Sequence, residues 1–290
     1  MNLKLVAKRI LPLVYFLAVS LPHYPVSDWI DHTILIPYGF QVVQQSADIL
    51  SILLLVIIFA LGFKVVRVYR LDAVRHLGIW VLLLILMYIA DRILIVNNIE
   101  RIHFPQYAVL SLILGWSLRN EMLIFFTSSF AGFIDEFLQY IMDPNRDNYL
   151  DFNDIVFNML GAALGVALLM SLRTPSTGEI QKYEKRFQVV FKTIVTALAI
   201  LVVVTFVLGR FVLVAEQVKP RNILSVIDGK LSFIMSFERH DQFWQRSPAH
   251  GKAFHVLSPF EGLSILFLLS AFTWWWTKWL KRDQSGIQQR

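Results

Sequence analysis

Two adjacent carboxylates, Asp135 and Glu136, stand inside the apolar run Phe133-Ile134-Asp135-Glu136-Phe137-Leu138. Ionised acids surrounded by apolar residues need a cation or a shared proton. Gln139 follows them by one helical turn. Upstream, Glu100, His103 and Tyr107 are spaced by three and four residues, which puts all three on one face of a helix. Downstream, Asp154 and Asn158 are again four apart. Arg146 lies in the connection between. In this set His103 can act as general acid or base near neutral pH, with Glu100 one turn away to orient it. Asp135, Glu136 and Asp154 can polarise a hydroxyl or hold a divalent cation. Tyr107, Gln139 and Asn158 can hydrogen-bond a sugar, and Arg146 can grip phosphate with its planar fork. The first five are therefore candidate catalytic residues and the last four candidate binding residues. The bland alternative is that these groups bond helices to one another.

The elements that must carry them are unusual in composition. The chain has 290 residues, 56% hydrophobic and only 17% charged, where soluble domains carry about 25% charged residues. The apolar residues come in blocks long enough to cross a bilayer. The expected fold is an all-α, polytopic membrane helix bundle of about eight spans. These cover about residues 10–22, 46–66, 77–96, 103–118, 121–142, 152–172, 188–214 and 258–280. Trp274, Trp275, Trp276 and Trp279 close the last span as an interfacial belt. Gly161 and Gly165 in the sixth form a small-xxx-small pair that admits a neighbouring helix. The first span, after Lys4, Lys8 and Arg9 and before Ala18-Val19-Ser20, also has the form of a cleavable signal peptide.

Lys and Arg fix the expected orientation. Arg67, Arg75, Arg119, Arg173, Lys185 and Lys281 lie on the side of the N-terminus. The first loop on the other side, 23–45, has no Lys or Arg. Both termini are expected in the cytoplasm, and the polar groups of spans four to six in one layer at the extracytoplasmic face. There is no cysteine, which excludes disulfides, thiolate nucleophiles and Cys metal sites. The net charge of +6 reads as span-flanking charge, not as a nucleic-acid surface. The long outer loop, about 215–257, has apolar stretches at Ile223–Ile227 and Leu231–Phe237 that read as a membrane-surface helix, or else as a lid.

Other groups carry weaker signals. Asp91 and Arg92 are adjacent, cannot face each other, and are expected to pair with neighbouring helices. Glu100-x-x-His103 has the form of half a carboxylate-bridged di-metal site, without a second such pair. The segment Asp143 to Asp154 approximates a twelve-residue calcium loop, with oxygen ligands at Asp143, Asn145, Asp147, Asp151 and Asp154. Asn148 replaces its usual Gly, and Asp replaces the final Glu.

At these residues the chain resembles the VanZ-like family of membrane proteins. The resemblance rests on Glu100-x-x-His103-x-x-x-Tyr107, Asp135-Glu136-x-x-Gln139, Arg146 and Asp154-x-x-x-Asn158-x-x-Gly161-x-x-x-Gly165. Leu11-Pro12-Leu13-Val14-Tyr15 also fits that family's first span and favours its retention. The resemblance covers about residues 1–172. It implies a VanZ-like membrane domain at 1–175; the C-terminal extension at 176–290, which holds the last two spans, falls outside it. It also implies a multi-pass protein of the bacterial cytoplasmic membrane and a link to teicoplanin-type glycopeptide resistance. The expected partners are membrane lipids and a lipid-linked glycan or glycopeptide. The site would bind or modify an envelope glycan or lipid-linked precursor. Two alternatives stand beside this reading: a non-catalytic antibiotic- or precursor-binding protein, and an ion- or proton-coupled transporter. Transport predicts polar groups through the whole depth of the bilayer, and the inner halves of spans four to six are largely apolar.

Overall fold

The computed structural model describes residues 3–21, 29–69, 73–142, 150–172, 178–215, 224–237, 242–247 and 251–287. Among them are eight helices of twelve residues or more: α1 (Leu3–Ser20), α2 (Phe40–Tyr69), α3 (Ala73–Ile93), α4 (His103–Leu114), α5 (Glu121–Met142), α6 (Phe152–Leu172), α7 (Gly178–Val207) and α8 (Pro259–Ile287). A 3₁₀ turn, Asn98–Ile102, leads into α4. Four of the helices, α2, α3, α6 and α7, are long and apolar enough to cross a membrane.

Helix α6 is the axis of the fold. Of its apolar window 94% is buried by other parts of the chain, against 11% for that of α2. Helices α4, α5, α3 and α8 pack around α6, whose glycines set how near they come. A Cβ on Gly161 would stand 2.4 Å from the carbonyl oxygen of Phe104, and one on Gly165 2.3 Å from that of Ala108. No other residue fits there, so the backbones of α4 and α6 touch. Gly262 gives α8 the same freedom, since its Cβ would meet the Phe152 ring at 2.3 Å. The extension after residue 175 thus returns through α8 to the bundle. Most apolar side chains of α2 and α7 point outward: Phe59, Phe63, Phe206 and Val207 are all more than half exposed.

Local chemistry places the helix starts. Asn120 Oδ1 accepts from Leu123 N at 3.1 Å and caps α5. Ser258 and Glu261 form a reciprocal capping box on α8, with Pro259 as its first residue. At one end of the bundle lie the end of α3 and the starts of α4, α6 and α8. At the other, His76 Nδ1 is 2.9 Å from Ser171 Oγ, Arg75 covers the Trp279 ring, and Glu121 pairs with Lys281.

Three expectations are corrected. Helix α4 ends at Leu114, not near 118. Its twelve residues reach about 18 Å, short of a hydrocarbon layer of about 30 Å, because Trp116 and Ser117 turn the chain with three-residue bonds to Ile113 and Leu114. Helix α7 stops at Val207, not near 214. Gly209 at φ +62° takes the left-handed position that ends it. The bundle is all-α, as expected, but the stretches beyond that point are not a surface helix. The end of the expected seventh span is β1 (Phe211–Ala215), and the stretches read as a surface helix hold β2 (Leu224–Ile227) and β3 (Lys230–Phe237), in the order β1-β3-β2. Strands β2 and β3 form an antiparallel hairpin with Ile227 opposite Lys230. Asp228 and Gly229 turn it, both with positive φ, as a two-residue hairpin turn requires. The sheet rests on α5, where Phe233 packs near Phe137 and Ile234 O accepts from Tyr140 Oη at 3.4 Å. A second pair, β4 (Gln245–Arg246) and β5 (Ala253–Phe254), lies beside the end of α3, and His255 N donates to Ile93 O at 2.7 Å.

Candidate functional site

The close contact of α4 with α6 sets His103 beside the first two turns of α6. His103 is buried, and Asn158 and Asp135 are fully buried. The Nδ1 of His103 lies 2.8 Å from Asn158 Oδ1. Asn158 Nδ2 donates to Gly132 O at 3.3 Å and to Glu136 Oε1 at 3.1 Å. A carbonyl and a carboxylate accept only, so the amide nitrogen must face them and the amide oxygen must face His103. The proton between them therefore sits on Nδ1. This leaves Nε2 as the working nitrogen, 3.4 Å from Asp154 Oδ2. With a proton on Nε2 the pair is an imidazolium and a carboxylate. Without it, two acceptors face each other across a gap that a cation can fill.

Helix α5 adds the other acids. Gly132 allows the approach, for a Cβ there would meet Asn158 Cβ at 2.6 Å. Glu136 Oε1 lies 3.8 Å from His103 Nδ1. Tyr107 Oη donates to Asp135 Oδ2 at 2.8 Å, while the other oxygen of Asp135 is buried with no hydrogen-bond partner among the described residues. Gln139 is buried one turn along the same helix. Asp154 is the most exposed of the central three, at 17% of its side chain against 4% for His103 and Glu136, and so forms the approach from outside. One atom each of His103, Glu136 and Asp154 lies within 4.8 Å of the others. An imidazole with two carboxylates, its far nitrogen oriented by an amide, is a donor set that suits a divalent metal.

Glu100 differs from its expected role. It stands in the 3₁₀ turn, not on the helical face of His103 and Tyr107, and accepts from the backbone amides of Val96 and Asn97, both at 2.9 Å. Burial, reinforced by the Asp154 charge, nevertheless pushes its carboxyl up to about 8 against those amides. Asp151, named in sequence only as a loop ligand, caps α6 by accepting from Asn153 N at 2.7 Å. Its carboxyl is raised well above the usual range by burial, then by Asp154 and Glu100. Arg146, Asp143, Asn145 and Asp147 lie outside the described residues. Among those described, five carboxylates, Glu100, Asp135, Glu136, Asp151 and Asp154, surround the single imidazole of His103. The cluster needs positive charge, as protons or as a metal.

Two groups of residues carry structure that their sequence neighbourhoods did not reveal. Arg101 bridges Asp91 and Asp48, tying the entrance of α4 to α3 and α2. Asp91 thus pairs ten residues ahead, and not with Arg92. Asn153 joins three segments: its Nδ2 donates to Leu94 O at 3.0 Å and His255 O at 2.9 Å, and its Oδ1 accepts from Leu257 N at 2.9 Å.

Comparisons with protein-family models, with curated proteins and with solved structures found no match to this chain.

Proposed function

We propose that this chain is a multi-pass protein of the bacterial cytoplasmic membrane, VanZ-like in kind. In this reading it binds or modifies the headgroup of a lipid-linked envelope precursor at the extracytoplasmic face, with His103 as its acid–base group. The observation that carries the reading is the pairing of His103 Nε2 with Asp154 behind a proton fixed on Nδ1. An imidazole so oriented can take a proton from a hydroxyl that reaches Asp154, and return it, while Glu136 and Asp135 hold the positive charge that results. The placement in a membrane draws on α2 and α7, whose apolar surfaces the chain leaves bare. The choice of side rests on Arg75 and Lys281, which lie at the end away from His103 and carry span-flanking basic charge. The test expresses the wild-type chain, His103→Gln and Asp154→Asn in a glycopeptide-susceptible bacterium. Teicoplanin susceptibility and the pool of lipid-linked precursor are measured in each. Wild type should shift one or both, and the variants should return them to the vector level. Well-folded variants that act like wild type would refute the role of His103.

A second reading is favoured by the spacing of His103, Glu136 and Asp154: the site holds a divalent cation and works through it. Titration of the purified chain with Zn²⁺ or Mn²⁺ separates the two readings, because Asp154→Asn should then abolish a stoichiometric binding event.

A further inference from the structure

A different set of side chains, at the same end of the bundle, forms a second site. The end of α3 and the β4–β5 hairpin enclose a groove of about 920 Å³. It is lined by Arg92, Arg246 and Lys252, with Gln242, Gln245 and Trp244 between them, and among the described residues no acid lines it. Arg92 lies close enough to Lys252 to repel it. Lys252 Nζ donates to the backbone carbonyl of Asp91 at 3.2 Å. Burial lowers its pKa, Arg101 and Arg92 lower it further, and the Asp91 and Glu100 charges oppose the change. A phosphate entering the groove would relieve that repulsion and accept from two guanidinium forks.

The groove opens beside an apolar cavity of about 510 Å³ between α3, α6 and α8, lined by Ile89, Ile93, Leu160, Leu257, Phe260 and Leu269. That volume falls in the range of about 300–1,000 Å³ usual for small-molecule sites. Consecutive residues divide the two spaces on both walls. Arg92 faces the polar groove and Ile93 the apolar cavity, and Trp244 and Phe243 divide in the same way. His255 fixes this boundary. Its N donates to Ile93 O, its Nδ1 donates to Phe243 O at 2.7 Å, and its ring stacks on Phe243 at 3.9 Å. The rings of Phe243 and Trp244 are exposed, and aromatic rings of this kind favour the boundary between hydrocarbon and headgroup.

We propose that this pair of spaces is a binding site for a phospholipid of net negative charge, its phosphate held by Arg92, Arg246 and Lys252 beside Trp244 and its acyl chain lodged between α3 and α8. The polar half selects negative charge and the apolar half requires a chain, so neither free phosphate nor an uncharged lipid satisfies both. This site does not depend on the chemistry of His103.

The test uses the purified full-length chain, stripped of lipid in detergent. Thermal stabilisation and native mass spectrometry are followed on addition of phosphatidylglycerol, phosphatidylcholine or inorganic phosphate. Phosphatidylglycerol should stabilise the protein and remain bound, and the other two should do so at least about tenfold more weakly. Arg92→Glu with Arg246→Glu, both on exposed side chains, should weaken phosphatidylglycerol by a further tenfold or more. Ile89→Trp, which fills the cavity from its outer wall, should weaken the lipid while leaving the free protein as stable as wild type. His103→Gln should bind the lipid as wild type does, which separates failure here from failure of the acid–base reading. Equal stabilisation by inorganic phosphate would overturn the lipid half of the proposal. Equal binding of both lipids, unmoved by the charge reversals, would overturn the headgroup half.

Discussion

The contact of α4 with α6 can be tested without removing any polar group. In Gly161→Ala the new Cβ would begin 2.4 Å from Phe104 O, where real contacts stay beyond 3.0 Å. The two backbones must separate by about 0.6 Å, since a carbonyl within a helix has nowhere to rotate. The bond from His103 to Asn158, now 2.8 Å, would stretch to about 3.4 Å, past the useful limit for N–H···O. Overpacking of this kind costs about 1–3 kcal/mol, and the weakened bond adds about 1 kcal/mol or more. The better helix propensity of Ala returns about 1 kcal/mol. The net loss is about 2 kcal/mol, or about 4–8 °C in Tm for a chain of this size. Gly78→Ala in α3 is the control. Nothing lies within 4 Å of its Cβ, so it should stabilise by up to about 1 kcal/mol. Unfolding in detergent, followed by tryptophan fluorescence, measures both, and ¹⁵N signals of the imidazoles report on His103. If Gly161→Ala matched Gly78→Ala in stability and left the His103 signals in place, the backbone contact, and the pocket built on it, would be refuted.

Further expectations follow from other residues. Glu100 is raised to about 8 in the folded chain from its ordinary 4.5, and Asp151 is also raised, so the native state keeps protons that the unfolded state releases. Stability is therefore greatest below pH 4.5 as far as these groups decide it, and falls as pH rises toward 8. Melting curves from pH 5 to 8.5 should decline, and Glu100→Gln should flatten the decline. Asn153→Ala removes three hydrogen bonds and leaves two carbonyls and an amide unpaired inside the protein, for a loss of about 3 kcal/mol in chemical denaturation. Arg101→Met strands Asp91 and Asp48, Asp91 being buried, and should lower stability by about 3 kcal/mol. Asp48→Asn in the same background should recover part of that loss in a double-mutant cycle.

The helical part of the fold was legible because apolar length alone announces it. The segments 121–142 and 152–172 begin and end as their hydropathy predicts, since acids and loop residues punctuate them. The site was legible for the same reason: Asp135, Glu136 and Asp154 are conspicuous against apolar neighbours, and four-residue spacing put His103 with Tyr107 and Asp154 with Asn158. Hydropathy could not show that Glu100 would be held by the amides of its own turn, nor that α4 would stop after three turns. Both depend on local backbone bonds that compete with the helix. The strands after residue 210 were missed because apolar runs of four to eight residues fit a short helix or a strand equally. Yet Asp228-Gly229 between two such runs was a hairpin signal in plain view. Asn153 bonds to residues 59 to 104 positions away and Arg101 to residues 10 and 53 positions away, and no local pattern announces such bonds.

Because α6 is enclosed by its own chain, the bilayer never presses on it directly. A thicker or thinner membrane would be met by the bare flanks of α2 and α7, which can tilt to match it. The imidazole on α4 and the acids on α5 and α6 are packed against that inner strut, which such tilting does not load. The protein can therefore keep one geometry at its polar centre in membranes of differing thickness.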